Sequence, residues 1–382
     1  MRAARSIYLA LFVLTASFGV VFTLLAELQD ELGFADSMLG LIAGAAFISS
    51  VAAQLWLAPL ADRGRARALM VGAVGVAGIA SLWIAVSTNV TELVAARLLA
   101  GVGIGAFQPA ARAVMSAADP SRAGERLGHL SAVETAGFVS GPIIGAIANE
   151  IWGLDAPFIL LGVMLGLLLP ALASVPLPEV RTPPSERRLV IAKKIVTRRE
   201  ALAAILLGGA LFLPAGMYEA IWARFMQDLG ASTLFVGVTL SMYGIPFALT
   251  AAFAGRYIDR YGPWRATRIA ILIIVPLTII YGQLRSPWLL MILAMFEAVG
   301  NGAGLPASQA AMAAATGEGE RAAGQGLVAA AGQIGAGIAA FLSAPLYAGP
   351  GPGATFATVA IIVAVLGAVG LRLGQSRTLP TS

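Results

Sequence analysis

The chain has 382 residues, of which 58% are hydrophobic and only 12% are charged, and its mean hydropathy is +0.85. Soluble domains are about half apolar and about a quarter charged. A globule of this size could not bury so much apolar surface, which indicates an integral membrane protein. Twelve membrane-spanning helices would occupy about 240 residues and leave no room for a large soluble domain.

Missing residue types and motifs exclude several kinds of site. The sequence has no cysteine and a single histidine, His129, which excludes thiolate chemistry and a histidine metal cluster. The H-E-x-x-H, G-x-S-x-G and Gly-Lys-Ser/Thr motifs of enzymes and nucleotide-binding loops are also missing. We therefore expect no metal, no cofactor and no enzymatic activity.

Apolar stretches of membrane-spanning length occur in two groups of six. The first group lies at Ser6–Glu27 and at about 37–61, 68–87, 91–115, 127–149 and 155–175. The second lies at about 201–224, 233–258, 268–285, 287–312, 323–347 and 353–373. We interpret the first stretch as a retained helix rather than a signal peptide, because further spans follow it. The pattern predicts an all-α polytopic membrane protein with an N-terminal bundle (1–175), a linker (176–200) and a C-terminal bundle (201–382).

The cations are distributed unevenly along this path. Most Lys and Arg residues lie before the first span, in the linker and in alternate loops, whereas the opposite loops hold little beyond Arg224 and Arg285. By the positive-inside rule, both termini and the linker are predicted to be cytoplasmic, in a cell inner membrane. The net charge of +5 is then a topology signal, and no nucleic-acid partner is expected.

Several features recur at one spacing of 197 residues. This near-constant offset indicates a duplicated six-helix unit in which both copies have the same orientation. Such duplication is typical of secondary transporters, whose substrate path lies between the halves. The pairs at this offset are Asp62 and Asp259, Arg63 and Arg260, Gly103 and Gly300, Gly105 and Gly302, and Pro109 and Pro306.

Three segments resemble motifs of the major facilitator superfamily. The loop from Gly255 to Arg265 resembles the family's G-x-x-x-D-R-x-G-x-x-[RK] motif, although its first-half copy has Ala58 for the first glycine and Gly64 one place early. The segment Arg97–Gly105 in the fourth span resembles R-x-x-x-G-x-G. The fifth span resembles the antiporter motif of the 12-helix drug/proton exporters, with Ala146 at its last position. Its matching residues are Gly128, Gly137, Gly141, Pro142 and Gly145.

The resemblance implies roles for the first and third segments. The Asp-Arg loops are candidates for a conformational latch, and the alternative is a static helix cap and topology signal. The glycines of the fifth span recur every four residues, so they share one face, which implies a hinge or sliding contact between the halves or, alternatively, ordinary tight packing. The latch candidates are Asp62, Arg63, Gly255, Asp259, Arg260 and Gly262.

Ionisable residues within spans are costly and usually functional. Glu134 in the fifth span and Glu297 near the middle of the tenth are candidates for proton coupling, and Arg97 is a candidate partner for a membrane carboxylate. The alternative for each is a purely structural role. Further polar and aromatic residues are candidates for lining the substrate cavity, with lipid-facing packing as the alternative. They are Glu219, Tyr218, Trp222, Tyr243, Gln54, Gln108 and Asn301.

These features together predict a proton-driven exporter of small lipophilic compounds that works by alternating access. Its predicted partners are a small-molecule substrate, protons and the lipid bilayer, and the monomer is expected to suffice. An uptake carrier or uniporter for a solute such as a sugar or organic acid remains the alternative. A membrane-embedded enzyme and a non-transporting sensor that shares the fold are less well supported.

Overall fold

The computed structural model describes residues 2–174, 186–317 and 319–375. At a few positions within helices, Asp62 among them, only the backbone is described. The described residues contain 12 helices that are long and apolar enough to cross a membrane, which confirms the predicted all-α architecture. At most of the helix ends, the observed bounds differ from the predicted bounds by a few residues.

Six of these helices form the first half of the chain. They are α1 (Arg2–Leu32), α2 (Leu39–Asp62), α3 (Ala66–Ala85), α4 (Val90–Ala118), α5 (Ala123–Trp152) and α6 (Ala156–Ser174). Short 3₁₀ turns at Asp36–Met38 and Pro120–Arg122 precede α2 and α5.

The second half contains seven helices within the described residues. They are α7 (Glu186–Val196), α8 (Arg199–Asp228), α9 (Thr233–Tyr261), α10 (Pro263–Tyr281), α11 (Pro287–Ala315), α12 (Arg321–Ala348) and α13 (Pro352–Gly374). Helix α7 lies in the predicted linker and is too short to span a bilayer. Residues 176–185 of that linker lie outside the described residues.

Capping residues explain several helix boundaries. The Asn89 side chain accepts the backbone N–H of Glu92 at 3.1 Å, and Glu92 accepts the N–H of Thr88 at 2.8 Å, so α4 begins with a reciprocal cap. Helix α9 ends because Gly262 adopts a left-handed φ of +82°, and Pro263 then starts α10 at a position where no N–H is needed. The predicted span at 268–285 began too late because Pro263 was not recognised as a helix start.

Contacts between Cα atoms divide the chain into two compact units. Unit 1 comprises Met1–Pro183 and Glu219–Ser241, and unit 2 comprises Pro184–Tyr218 and Met242–Ser382. Helix α8 therefore belongs to unit 2 up to Tyr218 and to unit 1 from Glu219 onward.

The sequence repeat is reproduced in the packing inside each unit. In unit 1, a Cβ added to Gly105 would meet the Ser50 carbonyl on α2, and one added to Gly103 would meet Ala73 and Ala77 on α3. In unit 2, Gly302 and Gly300 occupy the corresponding places. Their neighbours, each 197 residues further along the chain, are Phe247 on α9 and Ala270 and Ile274 on α10. The duplicated glycines thus allow the same close helix approaches in both copies.

Candidate functional site

Glu297 is the centre of a buried polar cluster in unit 2. Its side chain is fully buried on α11. Its Oε2 accepts hydrogen bonds from the Tyr218 hydroxyl of α8 at 2.5 Å and the Tyr281 hydroxyl of α10 at 2.9 Å, whereas Oε1 has no partner. Phenols can donate to a carboxylate or accept from a carboxylic acid, so these contacts are compatible with either protonation state of Glu297.

One turn further along α11, a second polar pair extends this cluster. The Asn301 side-chain N–H donates to the Tyr243 hydroxyl of α9 at 2.6 Å. The Asn301 carbonyl oxygen is buried without a hydrogen-bond partner. Two of the predicted cavity residues are thereby brought together beside the predicted proton-coupling residue.

Arg97 and Glu219 form an ion pair in the interior of unit 1. Both side chains are about 1% exposed, and Arg97 Nη2 donates to Glu219 Oε1. The guanidinium also lies over the Phe18 ring, 4.7 Å from its centroid, and its Nε donates to the Ile42 carbonyl at 3.5 Å. Glu219 was predicted to line the substrate cavity, but here its Oε1 is bonded to Arg97 and its Oε2 is buried without a hydrogen-bond partner.

A second network in unit 1 joins α1 to the last turns of α8. Arg224 pairs with Asp30 at 2.7 Å and with Asp228 at 2.8 Å. Glu27 accepts hydrogen bonds from Thr233 and, at 2.8 Å, from Gln227. These residues lie at the helix ends that the distribution of cations predicts to be extracellular.

Two other predicted cavity residues have local partners within unit 1. Trp222 is buried, and its indole N–H donates to the Thr239 hydroxyl at 3.0 Å. Gln54 on α2 donates to the Ser50 hydroxyl one turn earlier at 3.4 Å. Neither contact identifies a substrate.

Glu134 on α5 forms hydrogen bonds with two residues of α4 in unit 1. Gln108 donates to Oε1 at 2.7 Å, and Arg112 donates to Oε2 at 2.9 Å. Gln108 and Arg112 lie four residues apart on α4, about one turn, and Glu134 is the carboxylate that both of them contact.

The glycines of α5 contact α1, which lies in the same half of the chain. A Cβ added to Gly137 would meet Phe12 and Thr15, one on Gly141 would meet Ala16 and Gly19, and one on Gly145 would meet Val20. The fourth motif glycine, Gly128, has nothing within 4 Å of an added Cβ. This face makes a close contact within the first half, where the sequence led us to expect one between the halves.

Another side of α5 packs against the first turns of α9 inside unit 1. A Cβ on Gly237 would lie 2.8 Å from the Pro142 carbonyl and 2.7 Å from the Ala146 Cβ. The Ser241 hydroxyl donates to the Val139 carbonyl at 2.7 Å. Two positions of the motif, Pro142 and Ala146, thus contact this second-half segment.

The residues predicted to form a latch lie at helix ends. In the first half, Arg63 directly follows α2, and Gly64 adopts a left-handed φ of +81°; the Asp62 side chain lies outside the described part of the chain. In the second half, Asp259 and Arg260 lie in the last turn of α9.

Cation–π contacts surround the second of these loops. The Arg260 and Arg265 guanidiniums each lie 5.1 Å from the centroid of the Tyr261 ring. Gly255, by contrast, has open space around it. The latch role itself stays a prediction.

Ion pairs join the end of helix α7 and the residues that follow it to Glu320 in unit 2. Arg198 donates to both Glu320 oxygens, at 2.5 and 2.9 Å, and to the Ala315 carbonyl at 3.0 Å, while Lys194 lies 3.3 Å from Glu320. Hydrogen bonds from Arg198 lower the pKa of the Glu320 carboxyl from 4.5 to about 2. Ile195, which is fully buried, anchors the end of α7 in an apolar cluster with Ala201 and Met312 of neighbouring helices.

No group of three or more His, Asp or Glu side chains close enough to hold a metal ion occurs among the described residues.

The sequence profile described as Major Facilitator Superfamily matches residues 7–218 and 201–380. The chain belongs to this superfamily. It is therefore a multi-pass membrane transporter of small molecules and not an enzyme.

Relatives and solved structures agree with this assignment. The chain is 27% identical over 318 residues to the multidrug resistance protein MdtG of Escherichia fergusonii, covering 79% of this chain and 77% of that protein. It is 28% identical over 321 residues to MdtG of Serratia proteamaculans, covering 79% and 76%.

The structural neighbours share the fold at low sequence identity. A bacterial homologue of the human lysosomal transporter Spinster matches with a TM-score of 0.80 at 13% identity, covering 97% of this chain and 96% of the other. The nucleoside transporter NupG matches with a TM-score of 0.79 at 14% identity, covering 98% and 100%.

Two residues at these sites escaped the sequence-based prediction. Tyr281 lies 16 residues before Glu297 and reaches it only because α10 packs against α11. Arg112 contacts Glu134 across α4 and α5, and no sequence signal paired the two residues. In each case a polar residue near the predicted end of a span was the available signal.

Proposed function

We propose that this transporter exports small lipophilic compounds in exchange for protons, by alternating access, and that Glu297 carries the proton. The observation that carries the proposal is the fully buried Glu297 carboxyl, which contacts two phenols and, among the residues that the structure describes, no cation. Ionisable groups of this kind inside membrane spans commonly mark proton pathways. The relatives named as multidrug resistance proteins support the direction of transport.

The same proposal includes location and assembly. The clustering of cations supports cytoplasmic termini in a cell inner membrane. The predicted division into an N-terminal bundle, a linker and a C-terminal bundle is retained, and the monomer is the functional form.

Flux measurements in proteoliposomes test this function. A lipophilic dye and an imposed pH gradient are used with the wild type, Glu297→Gln and a matched control, Glu31→Gln, at an exposed glutamate. We expect gradient-driven dye movement for the wild type and the control and its loss for Glu297→Gln, because an amide cannot release a proton.

Two results would argue against the proposal. Dye flux that ignores both the gradient and the substitution would exclude proton coupling through Glu297. Flux that runs down the dye gradient alone would favour the uniporter alternative.

A further inference from the structure

Arg112, Glu134 and Gln108 form a partly exposed polar group within membrane-spanning helices of unit 1. The Arg112 side chain is 46% exposed and the Glu134 side chain 27% exposed. Charges within a span rarely face lipid, because hydrocarbon cannot solvate them. We therefore expect the exposed sides of these residues to face protein or water rather than lipid.

The hydrogen bonds within this group are asymmetric. Both oxygens of Glu134 are occupied, Oε1 by Gln108 and Oε2 by Arg112. Arg112 commits only Nη2 to Glu134, and within the described residues no acceptor is bonded to its Nε or Nη1. The group thus offers uncommitted N–H donors on a permanent positive charge, whereas its acceptors are already used.

The other charged groups inside unit 1 are not available in this way. The Arg97–Glu219 pair is buried on both sides. Glu219, which would suit a cationic ligand, is closed off by its own partner. Arg112, by contrast, is partly exposed and is held to Glu134 through Nη2.

We propose that Arg112 binds the anionic group of a transported solute, such as a carboxylate or sulfonate. A guanidinium presents its N–H groups as a planar fork that matches the two oxygens of such a group. Glu134 holds the guanidinium through Nη2, and Gln108 in turn holds the Glu134 carboxylate. This inference rests on the proposed transport of small lipophilic solutes and adds that these solutes carry an acidic group.

Equilibrium binding to the purified full-length protein in detergent tests the site. The probes are dansylglycine, which is a carboxylate at neutral pH, and its uncharged methyl ester, both followed by dansyl fluorescence. The variants are Arg112→Gln and, as a matched control with the same loss of charge, Arg285→Gln in an exposed loop.

We expect the wild type and the control to prefer the acid over the ester. Arg112→Gln should weaken binding of the acid by about tenfold to a hundredfold and leave the ester unchanged. A wild type without preference for the acid, or an equal loss of both probes in Arg112→Gln, would overturn the proposal. If this variant does not fold, Arg112→Met, which also removes the charge, replaces it, and an unchanged preference for the acid has the same consequence.

Glu134→Gln gives a test of opposite sign. An amide competes for Arg112 less well than a carboxylate, so binding of dansylglycine should tighten by up to about fivefold, and weaker binding would contradict the assigned geometry. The assay contains no pH gradient. Failure of proton coupling through Glu297 would therefore leave the binding result intact, and loss of acid preference would leave the flux result intact.

Discussion

Glu219 and Glu297 are both fully buried glutamates, yet their surroundings differ in kind. Glu219 in unit 1 contacts the guanidinium of Arg97. Glu297 in unit 2 contacts the hydroxyls of Tyr218 and Tyr281. In both carboxyls one oxygen accepts hydrogen bonds and the other has no hydrogen-bond partner.

The partner decides which states each carboxyl can adopt. Protonation of Glu219 would leave the Arg97 charge buried without compensation, which is expensive. Protonation of Glu297 leaves no opposite charge behind, and a phenol can reverse its role from donor to acceptor. The pair in unit 1 is thus suited to holding helices together, and the cluster in unit 2 to exchanging a proton.

Breaking the ion pair of unit 1 has the largest expected effect. Arg97→Met and Glu219→Leu should each destabilise the protein by about 3–5 kcal/mol, because each leaves one buried charge unpaired. The double variant should recover most of this loss. Thermal unfolding in detergent measures the stability of the wild type, the two single variants and the double variant.

The outcome of this double-mutant cycle tests the contrast between the Arg97–Glu219 pair and the Glu297 cluster. If each single variant costs less than about 1 kcal/mol, as a solvent-exposed pair would, Arg97 and Glu219 do not form a buried pair in solution. The contrast between a buried ion pair in unit 1 and the uncharged surroundings of Glu297 in unit 2 would then disappear.

The spans and the repeat could be predicted from the sequence, because hydropathy and a constant offset can be read directly from the chain. The sequence also predicted that Arg97 pairs with a membrane carboxylate, but not which one. The choice of Glu219 depends on α4 and α8 meeting across 122 residues of sequence. Tyr281 was missed for the same reason, since a tyrosine near a span end is equally consistent with an interface belt.

The sequence pattern also did not predict the helix that forms in the linker. The stretch from Pro176 to Glu200 is polar and proline-rich at its start, which indicates a loop. Its second part forms α7 because Ile195 enters the core and Arg198 reaches Glu320, both of which are tertiary contacts.

The phenol contacts of Glu297 should give a smaller energetic effect than the ion pair. A double-mutant cycle between Tyr281→Phe and Glu297→Leu should yield a coupling energy of about 0.6–1.7 kcal/mol, the range of interhelical hydrogen bonds in membranes. Tyr8→Phe, on a partly exposed tyrosine of α1, serves as the control.

A coupling energy for Tyr281 and Glu297 as large as that of Arg97 and Glu219 would blur the distinction between the two clusters. A value near zero would remove Tyr281 from the proposed proton site. Both results are read from the same unfolding experiment.

Glu320 gives the smallest expected effect, because it pairs with Arg198 at a partly exposed site. Its pKa of about 2 lies below its ordinary value of 4.5. A depressed pKa in the folded state adds stability above pH 4.5, and this stability is lost as the pH falls towards 2. The melting temperature of the wild type should therefore exceed that of Glu320→Gln by a constant margin between pH 7 and about 5.

Below that range the margin should shrink as Glu320 becomes protonated. Because the Arg198–Glu320 pair is partly exposed, the margin should also fall at high salt, whereas the cost of Arg97→Met at the buried pair should not. A margin for Glu320→Gln that is independent of both pH and salt would show that Glu320 acts through packing of the α11–α12 turn rather than through its charge. Equal salt sensitivity of the two pairs would instead mean that water reaches Arg97, which is incompatible with a permanently fixed ion pair in unit 1.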